Sequence, residues 1–129
     1  MHKSLQQTST SWLFAIGWLV ICTILFTLPG SAFPKENWLS RIWIDKWVHV
    51  GIFISLMILW SRVYLKRGLG NPKKILLLIA FFLLIYGVCV ELIQHYFIPN
   101  RSFDRGDIIA DVIGILIGYL CSSYRYIKK

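Results

Sequence analysis

The chain has 129 residues, of which 57% are hydrophobic and 16% aromatic, and it carries a formal net charge of +8. This length fits one domain, and the apolar fraction exceeds the roughly 45–50% of soluble domains. The basic residues mostly flank apolar segments, which favours membrane topology and anionic headgroups over nucleic acid as their partner. The three cysteines have neither metal-like spacing nor the even count of a disulfide framework.

Four apolar segments are candidates for helices that cross a bilayer, which takes about 20 residues. In chain order they cover about residues 11–28, 47–65, 75–98 and 108–124. The last contains Gly114 and Gly118, whose G-x-x-x-G spacing permits close helix packing. The sequence therefore predicts a single all-α domain, an integral membrane bundle of four transmembrane helices.

The first segment has an alternative interpretation as a cleaved signal peptide. Lys3 would supply the cationic start, and Gly30-Ser31-Ala32 would supply small residues for cleavage. The apolar segment is long for a signal peptide and its cationic start is weak, so we expect a helix that is retained.

The basic residues also predict an orientation. The loop between the second and third segments and the C-terminus carry basic residues and no acid. The other two loops mix both signs of charge. Since cytoplasmic loops are enriched in Lys and Arg, we expect both termini in the cytoplasm and the two mixed loops outside.

Polar residues from distant parts of the sequence converge at the predicted outer end of the bundle. They recur at spacings of three or four residues on helices two, three and four, so that each group shares a helix face. Ionisable groups inside a membrane usually face the bundle interior or a watered cavity. The sequence therefore predicts a functional site that contains Asp45, His49, Glu91, Gln94, Arg101, Asp104, Asp107 and Asp111.

Several of these residues also have structural explanations. Asp45 is a candidate N-cap of the second helix, and Asp104 or Asp107 of the fourth. Nearby cations are expected to be interfacial anchors, namely Lys46, Arg41 and Arg105.

Glu91 has a structural explanation of its own. It would merely hold the bundle together if it paired with Arg101 or His49, because polar contacts link helices in lipid.

These residues also carry a family resemblance. Asp45-Lys46-x-x-His49, Glu91-x-x-Gln94, Arg101, Asp104, Asp107 and the Gly114/Gly118 pair resemble the VanZ-like membrane protein family over about residues 45–119. The resemblance implies a multi-pass protein of the bacterial inner membrane that acts at the cell envelope, in a family associated with low-level teicoplanin resistance. Asp111 departs from the family pattern, which has Asn there in many members.

Three hypotheses for function remain open. In the first, the site binds or modifies an envelope lipid or glycolipid. His49, Glu91 and Asp107 are then the catalytic candidates, Asp45 orients the imidazole, and Arg101 holds a phosphate or carboxylate. The remaining ligand-binding candidates are Gln94, Asp104 and Asp111.

In the second hypothesis, His49, Glu91 and one or two aspartates hold a divalent metal, although no H-E-x-x-H motif or cysteine pair is present. In the third, the chain is a non-enzymatic module that binds lipid or a partner protein, or passes protons along its carboxylates, and a homodimer is one form it could take. The sequence predicts no organic cofactor and does not decide whether the chain is an enzyme.

Overall fold

The structure, a computed structural model, describes residues 2–32, 43–68 and 70–128, with the backbone alone for residues 2–10, and in these ranges the chain is all-helical. It contains α1 (His2–Phe26), α2 (Ile44–Leu65), α3 (Pro72–Phe97) and α4 (Arg105–Tyr126), and a 3₁₀ turn at Gly30–Ala32. For the residues that the structure describes, the prediction of an all-α chain with four helices is confirmed. The predicted anchor Arg41 lies outside the described residues.

Three of the helices that the structure describes have the length and apolar surface of membrane helices. α2, α3 and α4 are each long and apolar enough to span a bilayer, whereas the apolar part of α1, Ser11–Phe26, is shorter. Large apolar side chains on the outer surface are mostly exposed, among them Leu13, Trp47, Phe82 and Leu120. Exposed apolar surface on this scale marks a membrane-facing or interaction surface.

Capping residues explain why two helices begin before the apolar segments that predict them. Asn71 accepts a hydrogen bond from the Lys73 backbone N–H, and Pro72 occupies the first helical position of α3. Asp104 caps α4 in the same way through the backbone N–H of Gly106. Hydropathy marks the apolar interior of a helix, whereas these caps set where it begins.

Among the described residues, α2 and α4 form the most extensive helix contact. They run parallel, since later residues of α4 contact later residues of α2. A Cβ added at Gly114 would lie 2.6 Å from the Val50 carbonyl oxygen, and one added at Gly118 would lie 2.6 Å from the Met57 Cβ. The two backbones therefore approach so closely that only glycine fits. The predicted role of the G-x-x-x-G pair in close packing is confirmed.

α1 runs antiparallel to α2. The rings of Trp12 and Trp60 are 5.6 Å apart near one end, and those of Phe26 and His49 are 4.6 Å apart near the other. Between them, the Trp18 indole N–H donates to the Ser55 hydroxyl at 2.7 Å.

α3 is antiparallel to α4 and closes the bundle. A Cβ added at Gly87 would lie 2.6 Å from Asp111 Oδ2, and Tyr86 shares a hydrogen bond with Thr23 of α1.

These directions give the bundle two chemically different ends. The polar end is formed by the C-terminal turns of α1 and α3, the N-terminal turns of α2 and α4, and the loop between α3 and α4. The basic end lies opposite, and within the described ranges it holds no acidic residue. Its cations whose side chains are described are Arg62, Lys66, Arg67, Lys73, Lys74, Arg125 and Lys128.

Candidate functional site

Five polar side chains at the polar end are buried to an unusual degree. Each is at most 5% exposed. Such groups are costly to bury without hydrogen-bond partners. All five were predicted from the sequence, and the structure brings them together from α2, α3 and α4: His49, Glu91, Gln94, Asp107 and Asp111.

His49 lies between two carboxylates of α4. Its Nδ1 is 2.8 Å from Asp111 Oδ1, whereas its Nε2 is 3.8 Å from Asp107 Oδ2, beyond hydrogen-bonding distance. An ionised carboxylate only accepts hydrogen bonds, so Nδ1 is the donor to Asp111. In the neutral form of the ring, Nε2 then carries the lone pair. The residue that orients the imidazole is therefore Asp111, and the expectation of Asp45 in that role was wrong.

Lys46 is the residue of the cluster that the sequence prediction missed. Its Nζ lies 2.6 Å from Asp104, 3.1 Å from Asp107 and 3.6 Å from Asp45. The expectation that Lys46 is an interfacial anchor was wrong, because its ammonium folds back onto these carboxylates. A signal was available, since Lys46 stands three residues before His49 and so shares its helix face.

Asp104 connects the start of α4 to Glu91 of α3. Its side chain caps α4 by accepting from the Gly106 backbone N–H at 2.7 Å, and its own backbone N–H donates to Glu91 Oε1. The cap prediction for Asp104 is confirmed. The hydrogen bond from Lys46, assisted by that from Gly106, lowers the pKa of the Asp104 carboxyl below its usual range.

The cap prediction for Asp45 was wrong, and of the two alternatives for α4 the cap is Asp104 and not Asp107. α2 begins after Trp43, which adopts a left-handed conformation with φ 53° and makes no side-chain cap. Asp45 lies in the first turn of α2, and Asp107 in the first turn of α4. An acid in a first turn still stabilises the helix through the macrodipole.

Glu91 and Gln94 connect α3 to its neighbours. Glu91 Oε1 accepts from the Asp104 backbone, whereas Oε2 is buried without a hydrogen-bond partner among the described residues. The Gln94 side-chain amide donates to the Phe26 carbonyl at 2.9 Å. This bond satisfies one of the carbonyls that a helix end leaves open.

Arg101, the predicted anion-binding residue, is partly buried in the loop that leads into α4. The loop lies against the chain that follows α1, because the Gly30 backbone N–H donates to the Pro99 carbonyl at 3.2 Å. Arg101 lies in this loop, three residues before Asp104 of the cluster.

The acidic group that the structure assembles differs from the predicted metal site, which was His49, Glu91 and one or two aspartates. Carboxylate oxygens of Asp45, Asp104 and Asp107 lie within 4.8 Å of one another, and oxygen ligands suit hard cations. Lys46 Nζ, however, already lies against all three carboxylates. A divalent cation would have to displace this ammonium, so these residues do not fit a resident metal.

Two further residues shape the cluster without titrating. The Phe26 ring packs on the His49 imidazole. Gly87 lacks the Cβ that would collide with the Asp111 carboxylate. Gly87 precedes Glu91 by about one helical turn, so its position on the same buried face was predictable from the sequence.

The comparison with known proteins agrees with this arrangement. The chain matches the VanZ/LLP1 family model over residues 4–126. No curated protein and no solved structure matches it significantly. Because the family match covers nearly the whole chain, including every residue of the polar cluster, the chain belongs to the VanZ/LLP1 family.

Proposed function

We propose that this chain is a multi-pass protein of the bacterial inner membrane whose polar end binds and acts on an amphiphilic cell-envelope molecule, such as a lipid-linked intermediate. The proposed topology has α1 as a fourth membrane span and both termini in the cytoplasm. It is supported by the basic end, since cytoplasmic flanks are enriched in Lys and Arg. The polar end then faces the outer leaflet.

The observation that carries this proposal is the geometry around His49. Asp111 holds the ring through Nδ1, and Nε2 faces Asp107 across a gap too long for a hydrogen bond. A ring oriented in this way is suited to accept a proton from a substrate hydroxyl or water. Phe26 holds the ring from one side, so its orientation does not depend on the ligand.

Two other residues complete the proposed chemistry. Arg101 would hold a phosphate or carboxylate of the ligand, for which a guanidinium is well shaped. Glu91 Oε2, which is buried beside the same loop, would accept a hydrogen bond from the ligand. A site of this kind recognises a charged headgroup at the end of an apolar tail. We extend to this chain, as part of the same proposal, the association of its family with low-level teicoplanin resistance.

The test is native mass spectrometry of the purified full chain, together with extraction and analysis of the lipids that copurify. Wild type is expected to retain a discrete adduct that Glu91→Gln and Asp111→Asn lose while staying folded. His95→Gln is the matched control, because His95 is exposed at the same end and lies outside the cluster. Chemical change of the identified molecule on incubation would establish an enzyme, and unchanged retention a binding module.

A second candidate function is supported by the hydrogen bonds themselves. Lys46, Glu91 and Gln94 each connect two helices or a helix to a loop, which is what structural polar contacts do in lipid. In this case the cluster holds together a non-enzymatic module. The same variants would then lose thermal stability, and no adduct would copurify with wild type.

A further inference from the structure

A groove runs along the outside of α1 and α2, on the half of the bundle nearer the basic end. It has a cavity volume of about 790 Å³, and its walls are mostly apolar side chains of the two helices, including Phe14, Ile21 and Leu59. It shares no residue with the polar cluster, so it needs an explanation of its own.

The length of the groove matches one leaflet of a bilayer. On α1 its lining extends from Ser11 to Ile21, which is roughly 15 Å at 1.5 Å per residue. The hydrocarbon core of a bilayer is about 30 Å thick, so one leaflet contributes about half of that. An extended acyl chain from the leaflet at the basic end would therefore fit along it.

Gly17 forms the open floor of the groove. A Cβ added at Gly17 would meet no atom within 4 Å, in contrast to the glycines of α4, where an added Cβ would collide with α2. Helix packing therefore does not require a glycine at this position. Because Gly17 has no side chain, it leaves open space on the outer surface of α1.

Charge marks one end of the groove. Arg62, in the last turn of α2, lines it and is exposed. Within the described ranges, no acidic residue lies at this end to neutralise it. An apolar groove that ends at an arginine is complementary to a molecule with an acyl chain and an anionic head.

We infer that this groove binds an anionic glycerophospholipid, with one acyl chain lying over Gly17 and the phosphate on the Arg62 guanidinium. A second copy of the chain is a poorer occupant by charge. Its described residues at the same end offer further cations and no acid, so a symmetric contact there would bring like charges together.

The experiment adds dioleoylphosphatidylglycerol or dioleoylphosphatidylcholine to the full chain in detergent and measures bound lipid by native mass spectrometry. Wild type is expected to prefer the anionic lipid. Arg62→Gln should weaken its binding about five-fold, the effect of one basic side chain near an anionic surface, and Arg62→Lys should restore most of it. Arg125→Gln is the matched control, because Arg125 also lies at the basic end but outside the groove.

A second variant tests the acyl chain. In Gly17→Leu the new Cβ meets no atom within 4 Å, the longer side chain occupies the groove, and helix propensity improves. The variant should therefore weaken binding of both lipids while leaving thermal stability unchanged or higher. Glu91→Gln, at the other end, should leave this lipid bound.

Three results would overturn the inference. One is an equal loss of anionic lipid in Arg125→Gln, which indicates diffuse attraction to the basic end. Another is undiminished binding in Gly17→Leu. The third is a wild-type dimer that Gly17→Leu separates without any loss of lipid, since a second copy would then occupy the groove.

Discussion

The interface between α2 and α4 has two halves that share one spacing and differ in chemistry. Toward the polar end, Asp107 and Asp111 of α4 meet Lys46 and His49 of α2. Toward the basic end, Gly114 and Gly118 pack against backbone atoms and the first side-chain carbons of α2. Together these α4 positions form one stripe with spacings of four, three and four residues.

The difference between the halves shows how the cluster is held. In lipid, helices gain no hydrophobic driving force from each other, so the glycine half associates through close van der Waals packing. That contact fixes the distance between the helices one turn away, where the carboxylates must reach Lys46 and His49. Charge pairs in the polar half are then pre-positioned, and breaking one leaves a buried group without its partner.

The largest effect is expected from Asp111→Leu in the polar half. The variant leaves His49 buried without its hydrogen-bond partner, and we expect the free energy of unfolding to fall by about 3 kcal/mol. Asp111→Asn keeps an acceptor for the imidazole and should lose less than about 1 kcal/mol. Chemical unfolding in detergent micelles measures both variants. Equal losses would show that the charge of Asp111, and not its hydrogen bond, stabilises the fold.

The glycine half should respond to a single methyl group. In Gly114→Ala the new Cβ would lie 2.6 Å from the Val50 carbonyl oxygen, and separating the helices should lower the free energy of unfolding by about 2 kcal/mol. Gly51→Ala is the control, because nothing lies within 4 Å of a Cβ added there. It should be neutral or stabilising by up to about 1 kcal/mol. If both variants behave alike, the close approach of α2 and α4 is not what holds the bundle.

A smaller effect is expected from Lys46→Gln. Two of its carboxylate partners, Asp45 and Asp104, are about half exposed, at 52% and 45%, and only Asp107 is buried. Solvent screens the exposed pairs, so the expected loss is about 1 kcal/mol. Wild type should also lose stability between low and high salt, whereas Lys46→Gln should be less sensitive. Arg105→Gln, an exposed cation at the same end, should change neither quantity.

The smallest effect concerns acid. Because the pKa of Asp104 is lowered in the fold by Lys46 and Gly106, its ionised form stabilises the protein above the usual aspartate pKa, near 3.8. That contribution should disappear as the pH falls through the lowered value. Thermal unfolding of wild type from pH 6 to pH 3 should therefore show a steeper acid loss than Asp104→Asn. Parallel acid profiles would assign the loss to other carboxylates.

Part of this arrangement was predictable from the sequence because it depends on local spacing. Apolar segments predicted four helices, and spacings of three and four residues placed His49, Glu91 and Asp111 on inward faces. The same spacing places Lys46 on the face of His49, but it does not predict the direction in which the ammonium extends. A cation at a helix start can extend toward the headgroups or fold back onto acids, and the choice depends on how near α4 lies.

The remaining errors have a similar origin. Asp45 has the composition of an N-cap, yet Trp43 turns the chain through a left-handed conformation and α2 begins one residue before Asp45. The start of α2 is therefore determined by the backbone conformation of the preceding residue and not by the aspartate. The residue that bonds His49 is Asp111, and not the expected Asp45, because α2 and α4 are parallel and in contact. Periodicity within one segment does not predict such a contact between distant segments.

The parallel alignment of α2 and α4 also has a consequence for biogenesis. Lys46 and its partner Asp107 are 61 positions apart, so during synthesis the cation enters the membrane well before the carboxylates of α4 exist. If α4 inserted in the opposite direction, Arg125 would come to the end that holds Lys46, and the aspartates would lie at the other. The ion pairs of the cluster therefore form with only one direction of the last helix, and on the proposed topology they would stabilise that direction once the helix has been made.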